Sequence, residues 1–283
     1  MNFKQILFRY NRTLEFSKPT IMGIINLTDD SFFDGGRFTN DQEVIDYAGK
    51  MISQGASILD IGAMSTKPFS TEIDSNEEWE RLEKIIATLR KKFPETIISI
   101  DTYRAEVAKR SIAAGADIIN DISGGEMDKG MISLIAKLNV PYILTHMQGT
   151  PKNMQQNPHY NNIFEEIFTF FSVKLKQLKD LGYSSTTILD PGFGFGKTVE
   201  HNYFLLNSLK KFKELNCPIL VGVSRKSMIN KVLNTTPAEA LNGTSVLNTI
   251  SLLNGADILR VHDVAQAREA VELVGFYNKC QNL

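Results

Sequence analysis

Cysteine is nearly absent from this chain of 283 residues, which has only Cys217 and Cys280. That excludes a disulfide framework and a zinc site of the usual paired spacing, and suits a reducing cytoplasm. An excess of basic charge is also missing: 31 lysines and arginines stand against 32 aspartates and glutamates, a net charge of −1. The electrostatic footprint of a nucleic-acid binder is therefore not there, and any anion must be held by a few local groups. No stretch approaches the roughly 20 apolar residues of a membrane helix. At the N-terminus, Ile6, Leu7 and Phe8 are cut short by Arg9 and Arg12, so neither a signal peptide nor a membrane partner is expected. The four histidines, His146, His159, His201 and His262, have no H-x-x-x-H spacing and no cysteine companions, which argues against a zinc centre. A Pro/Ser-rich linker or charge block is lacking too, so one domain is expected, although length alone would allow about two.

What is present is one pattern, repeated. Ile21, Met22, Ile24, Ile25 and Leu27 form a nearly continuous apolar run, as expected of a parallel strand buried on both faces. Asn40 with Glu43 opens a helix that Gly55 ends, and Ile58–Ile61 is a second strand. Ser75 with Glu78 caps the next helix, ahead of strands at 97–100, 118–119, 142–144, 188–189, 219–223 and 258–261. Helical spacing continues through Phe204–Phe212, and Thr236-Pro237 with Glu239 starts another helix. Eight strand-helix units without hairpin signals predict an α/β fold, a single (β/α)8 TIM barrel over 19–283, with 1–18 a short N-terminal extension in the form of a hairpin or cap.

Helix-to-strand connections are tight. Those after strands include residues 28–39, 62–74 and 147–160, all longer than the usual two to six. In such barrels the site lies at the carboxyl ends of the strands. Those ends read Asn26, Asp60, Asp101, Asn120, His146, Asp190, Ser224 to Lys226, and Arg260 with His262. Each has a structural reading taken singly, Asp60 as a turn acceptor or His146 as a wall histidine, but polar groups on nearly every strand end point to a site. Asp101, Asn120 and Asp190 suit a planar ligand bearing a row of N–H donors. Asn26, Arg260 and His262, neighbours by barrel closure, suit an anion, and Asn26 offers an oxygen for Mg²⁺. Lys226 stands between the two groups. Residues 187–197 combine a strand end with a glycine-aromatic loop. Gly192 to Thr198 is one residue short of a P-loop, so a nucleoside triphosphate is not expected.

The segments Met22 to Thr28 with Asp30-Ser31-Phe32 and Asp34-Gly35-Gly36, Asp60-Ile61-Gly62 with Ser65-Thr66-Lys67-Pro68, Ser99 to Thr102, Asn120-Asp121-Ile122, Asp190 to Lys197, Ser224 to Ser227 and Arg260 to Val264 together resemble the dihydropteroate synthases. The resemblance implies a Mg²⁺-dependent transferase of folate synthesis, a target of sulfonamides, that joins dihydropterin pyrophosphate to p-aminobenzoate as a cytoplasmic homodimer. It assigns Asp101, Asn120, Asp190 and Lys226 to the pterin and Asn26, Thr66, Arg260 and His262 to pyrophosphate, with Asn26 at the metal. Thr66, Lys67, Pro68, Phe195 and Ser227 go to the p-aminobenzoate pocket. Asn26, Asp34, Lys226, Arg260 and His262 carry the chemistry, Asp34 as electrostatic partner of a cationic intermediate. Departures from the family pattern are Thr28-Asp29-Asp30 for Thr-Pro-Asp, Phe33 for serine, Met64 for glutamate, and Lys67 for arginine, which keeps charge but loses the planar fork. A pterin-binding methyltransferase barrel and a non-catalytic pterin-binding paralogue are the alternatives.

Overall fold

The structure, a computed structural model, describes residues 5–8, 12–27, 40–64 and 73–280. Strands β1 (Gln5–Leu7) and β2 (Thr13–Glu15) pair as an antiparallel hairpin. Eight parallel strands follow: β3 (Thr20–Asn26), β4 (Ile58–Gly62), β5 (Ile97–Asp101), β6 (Ile118–Asp121), β7 (Tyr142–Thr145), β8 (Thr187–Asp190), β9 (Leu220–Val221) and β10 (Ile258–Val261). They hydrogen-bond in the order β8-β7-β6-β5-β4-β3-β10-β9. A parallel bridge between Leu189 and Ile219 joins β8 to β9 and closes the barrel. Around it lie α1 (Asp41–Gln54), α2 (Ser75–Lys92), α3 (Ala105–Ala113), α4 (Met131–Leu138), α5 (Ile163–Asp180), α6 (Val199–Ser208), α7 (Ser227–Leu233), α8 (Leu241–Leu253) and α9 (Val264–Cys280). Among the described residues, no helix is long and apolar enough to cross a membrane.

Side-chain parity decides what the barrel contains, because successive strand residues face opposite sides. Ile21, Leu59, Ile98, Ile119, Leu189 and Leu259 pack outward into one large core with helix residues such as Val44, Leu82, Val107 and Phe171. The opposite parity supplies one residue from each strand, Met22, Ile58, Ile97, Ile118, Ile143, Ile188, Leu220 and Ile258, to a separate apolar cluster inside the barrel. Ile6, Phe8 and Leu14 of the hairpin join this cluster, so the N-terminal segment plugs the amino end of the barrel. The plug is tied down electrostatically: Arg12 donates to buried Asp117, which also accepts from Arg90 Nη2 at 2.5 Å and Ile98 N–H at 2.9 Å. Two residues further along the same parity the character changes to Ile24, Asp60, Ser99, Asn120, Thr145, Asp190, Gly222 and Arg260. An apolar floor thus carries a predominantly polar layer facing the carboxyl mouth.

The tight connections at Gly55, Gly115 and Gly255 hold φ of 111°, 112° and 92°, the left-handed stop that lets a helix feed directly into a buried strand. Several local details depart from the sequence reading. Asp74, not Ser75, caps α2, accepting from Asn76 N and Glu77 N at 2.8 and 2.9 Å. Glu78 cannot reach back to complete a capping box because it is buried and accepts from Arg104 Nη1 at 2.7 Å. The Thr236 capping box does form, but it closes a single 3-10 turn, Pro237–Glu239, and α8 begins after it. The helix through Phe204 tightens after Ser208 into 3-10 geometry over Leu209–Leu215. The seventh barrel strand shrinks to Leu220–Val221.

Candidate active site

The centre of the barrel mouth is an ion-pair network drawn from three strands. Arg260 on β10 donates through Nε to Asp60 Oδ2 on β4 and through Nη2 to Asp101 Oδ2 on β5, each at 2.6 Å. Both pairs are shielded, with side-chain exposures of 17 % for Arg260, 0 % for Asp60 and 15 % for Asp101. Asn120 on β6 donates Nδ2 to Asp60 Oδ2 at 2.9 Å, an orientation that leaves its carbonyl oxygen as an acceptor. Burial pushes the Asp101 carboxyl up from its ordinary range, the Arg260 guanidinium opposes this, and the negative neighbour Asp60 adds to it.

Two more elements complete the mouth. Asp190, at the end of β8, accepts from Gly192 N at 2.8 Å, and burial raises its carboxyl while Lys226 pulls it back down. Lys226 is the N-cap residue of α7. Its Nζ donates to Phe193 O at 2.5 Å and stands 4.6 Å from the centre of the Phe195 ring. Burial lowers this amine to about 8, with Asp190 opposing and Arg260 reinforcing the shift. Arg225, in the left-handed region at φ 56°, precedes it. Its guanidinium grips both oxygens of Asp263 at 2.8 and 2.9 Å, tying the loop after β9 to the loop after β10. Next to that clamp, Ser224 Oγ lies 3.0 Å from His262 Nδ1 and accepts the His262 backbone N–H at 3.3 Å. Burial, reinforced by Arg260, lowers the imidazole to about 3, which leaves the ring neutral at pH 7.

The arrangement offers buried acceptors from Asp101, Asn120 and Asp190 beside a cationic side made by Lys226 and Arg260. Among the described residues, no group of three or more His, Cys, Asp and Glu could hold a metal ion. What Asn26 contributes is an amide oxygen near Gly62 and Asp101.

Residues 22–262 match the family described as pterin binding enzyme. The Escherichia coli K12 dihydropteroate synthase is 41 % identical over 269 residues, covering 95 % of each chain. The chain belongs to the dihydropteroate synthase family. The crystal structure of the Yersinia pestis dihydropteroate synthase with a sulfonamide drug complex superposes with a TM-score of 0.92 at 39 % identity, covering 97 % of this chain and 99 % of that one. The Xanthomonas albilineans dihydropteroate synthase with 4-aminobenzoic acid gives 0.89 at 32 % identity, covering 98 % and 99 %.

Of the residues singled out from the sequence, Asn26, Asp101, Asn120, Asp190, Lys226, Arg260 and His262 all lie at the carboxyl ends of the strands. Ser227 is exposed at the start of α7, and Phe195 is half-buried over Lys226. Asp34, Thr66, Lys67 and Pro68 fall outside the described residues. The two groups are linked in this fold: Arg260 of the anion-binding set is paired with Asp101 of the acceptor set and with Asp60, as two buried carboxylates need a nearby cation. Asp60, a strand end whose role is not legible from its own neighbours in the sequence, is the hub that Arg260 and Asn120 share. The signal was available: Ile58-x-Asp60 and Ile258-x-Arg260 occupy equivalent inward positions on strands flanking β3. The two rings of the glycine-aromatic loop also part company. Phe193 is fully buried in the outer core, while Phe195 remains at the mouth.

Proposed function

We propose that this chain condenses 6-hydroxymethyl-7,8-dihydropterin pyrophosphate with p-aminobenzoate, giving 7,8-dihydropteroate and pyrophosphate. The observation that carries this reading is the convergence of Asp101, Asn120 and Asp190 with Lys226 and Arg260 on one buried barrel mouth. The aminopyrimidinone edge of a pterin is a planar row of N–H donors, and carboxylates beside an amide oxygen complement it. Lys226, next to Asp190, completes the pterin contacts.

The bond that must break joins the pterin methylene carbon to a pyrophosphate oxygen. Its electron pair leaves with pyrophosphate, and the electron-rich dihydropterin ring delocalises the positive charge left on the methylene. The amine nitrogen of p-aminobenzoate then bonds to that carbon and loses a proton. An aromatic amine is already neutral near pH 7, so the step calls for leaving-group stabilisation rather than a strong base. Arg260 Nη1 lies outside both ion pairs, and His262 directly follows the same strand, so both can meet the departing anion together with Asn26. A single amide oxygen fits Mg²⁺ carried in on the pyrophosphate, since that ion favours few protein ligands alongside water and phosphate oxygens. The ion would supply charge neutralisation on the leaving group. Phe195, Ser227 and the segment with Thr66, Lys67 and Pro68 would form the p-aminobenzoate pocket, with Asp34 facing the cation.

The same reading takes residues 1–18 as an N-terminal extension of one pterin-binding barrel domain, residues 19–283, in the cytoplasm. It also takes the chain as a homodimer. Val246, Ile250 and Leu253 on α8 and Leu273, Phe276 and Tyr277 on α9 are exposed at helical spacing, and the two helices pack side by side. An apolar face of this kind marks an interaction surface. The test of the activity is direct: purified chain, dihydropterin pyrophosphate, p-aminobenzoate and Mg²⁺ should yield pyrophosphate and dihydropteroate in equal amounts. Pterin binding with no product above the uncatalysed rate would leave a binding protein instead.

A further inference from the structure

Lys197 is the charged residue of the loop between β8 and α6 that the proposed reaction leaves unused, and it is only 4 % exposed. Its Nζ lies 3.0 Å from Phe195 O, 3.2 Å from His146 O and 3.1 Å from His146 Nδ1. His146 immediately follows β7, so the amine spans two neighbouring strand ends. Burial lowers the amine to about 7, and either protonation state fills the same three contacts. The ammonium donates three times. The neutral amine donates to both carbonyls and accepts from Nδ1–H. The three contacts therefore form in either state, while the Asp190 carboxylate favours the ammonium.

The surrounding backbone is shaped for this contact. A methyl group built on Gly192 would lie 1.9 Å from His146 O, and one on Gly196 2.5 Å from Gln148 O. The loop lies flat on the segment after β7, and any side chain at either glycine would lift it off. Phosphate cradling, which the glycine spacing suggests at first sight, is excluded by the direction of Lys197, whose amine is consumed by two protein carbonyls and an imidazole. The loop carries Phe195, and the ring of Phe195 sits against the Lys226 ammonium.

We propose that Lys197 is a positioning residue for Phe195, its three hydrogen bonds setting the loop so that the ring stands as one wall of the p-aminobenzoate pocket. This rests on the reading of Phe195 as that wall. Lys197→Met keeps an unbranched chain one atom shorter and removes every donor, leaving two carbonyls and an imidazole nitrogen without this partner. Small displacements of a group that orients a reactant are felt strongly, up to about a hundredfold for 1 Å. Lys197→Met should therefore raise KM for p-aminobenzoate by roughly tenfold. The dissociation constant of a 6-substituted pterin, measured by calorimetry, should change by no more than about twofold, within the scatter of independent sites. Lys197→Gln, which retains two N–H donors, should fall between Met and lysine.

Phe195→Ala and the double variant complete a cycle on the full chain. Phe195→Ala with an unchanged KM would show that the ring does not contact p-aminobenzoate and would overturn the pocket reading itself. If Phe195→Ala raises KM but folded Lys197→Met does not, the pocket stands and the positioning role falls. The role also falls if Lys197→Met raises KM as much in the Phe195→Ala background as in the parent, or if pterin affinity drops in parallel. Should neither lysine variant fold, Lys197 belongs to the scaffold and the assignment is overturned. Support requires the KM increase, the unmoved pterin affinity and the loss of the effect when Phe195 is absent.

Discussion

Replacing Arg260 by methionine tests the barrel mouth most sharply, because one guanidinium serves two shielded carboxylates. Methionine keeps much of the volume while removing the charge and five donors. Breaking a buried ion pair by deleting one partner costs about 3–5 kcal/mol, a large fraction of the roughly 5–15 kcal/mol of a typical domain. The deficit should depend on pH. Burial already raises Asp101 and Arg260 opposes that rise, so the variant's folded-state pKa lies further above the unfolded value. Between those two values the folded chain binds more protons than the unfolded one, and stability falls as pH increases. Asp101 is raised to about 7 in the parent as well, so the gap between parent and variant opens above that pH: it should be wider at pH 8 than at pH 6.5, by at most about 1.4 kcal/mol per pH unit. Urea unfolding of both proteins at pH 8 and 6.5 reads this directly. A gap below about 1 kcal/mol at pH 8, or one that widens on acidification, would refute the network as the stabilising centre. In the folded fraction, loss of a charged hydrogen bond to the leaving group, about 1.5–3 kcal/mol, should slow turnover by roughly ten- to a hundredfold.

At Lys226 the ammonium is the form that complements Asp190 and the pterin carbonyl side, and burial lowers the amine to about 8. The value of kcat/KM should decline as pH rises through about 8, and Lys226→Met should be slower and lack that limb; a parent profile flat to pH 9.5 would contradict the role. At the other end of the barrel, Asp117→Ala removes the buried carboxylate that Arg12 and Arg90 share and should cost about 3–5 kcal/mol. Its kcat per folded molecule should be unchanged, because the apolar floor separates it from the mouth; a large loss of kcat in native protein would argue otherwise. Phe276→Glu, placed on the exposed face of α9, should convert a dimer to a monomer in sedimentation velocity, and a dimer of unchanged affinity would move the interface elsewhere.

Much of the architecture is legible in residues alone, because a parallel strand buried on both faces has to be an apolar run. Ile97 to Ile100 or Ile258 to Val261, each following a helix, therefore read as strands without reference to partners. The strand-end polar groups were legible for a related reason: a side chain such as Asn120 or Asp190 that closes an apolar run must sit where the barrel opens. Caps were less secure. The Ser75 and Glu78 pair has the right spacing, but Glu78 was taken by Arg104, a partner 26 positions away.

What only the tertiary structure decided is which of these groups meet. Arg260 and Asp60 are 200 positions apart, and nothing local to either announces the pair; barrel closure puts β10 and β4 on either side of β3. Phe193 and Phe195 have the same flanking glycines, yet one is core and the other site, because a turn of the loop sends them in different directions. Lys197 has no partner legible in the sequence, and the fold lays His146 beside it. Periodicity and hydrophobicity are properties of neighbouring residues and survive in the sequence. Charge pairing and side-chain direction across strands belong to the closed barrel, where burial forces each charged group to find the partner that the topology supplies.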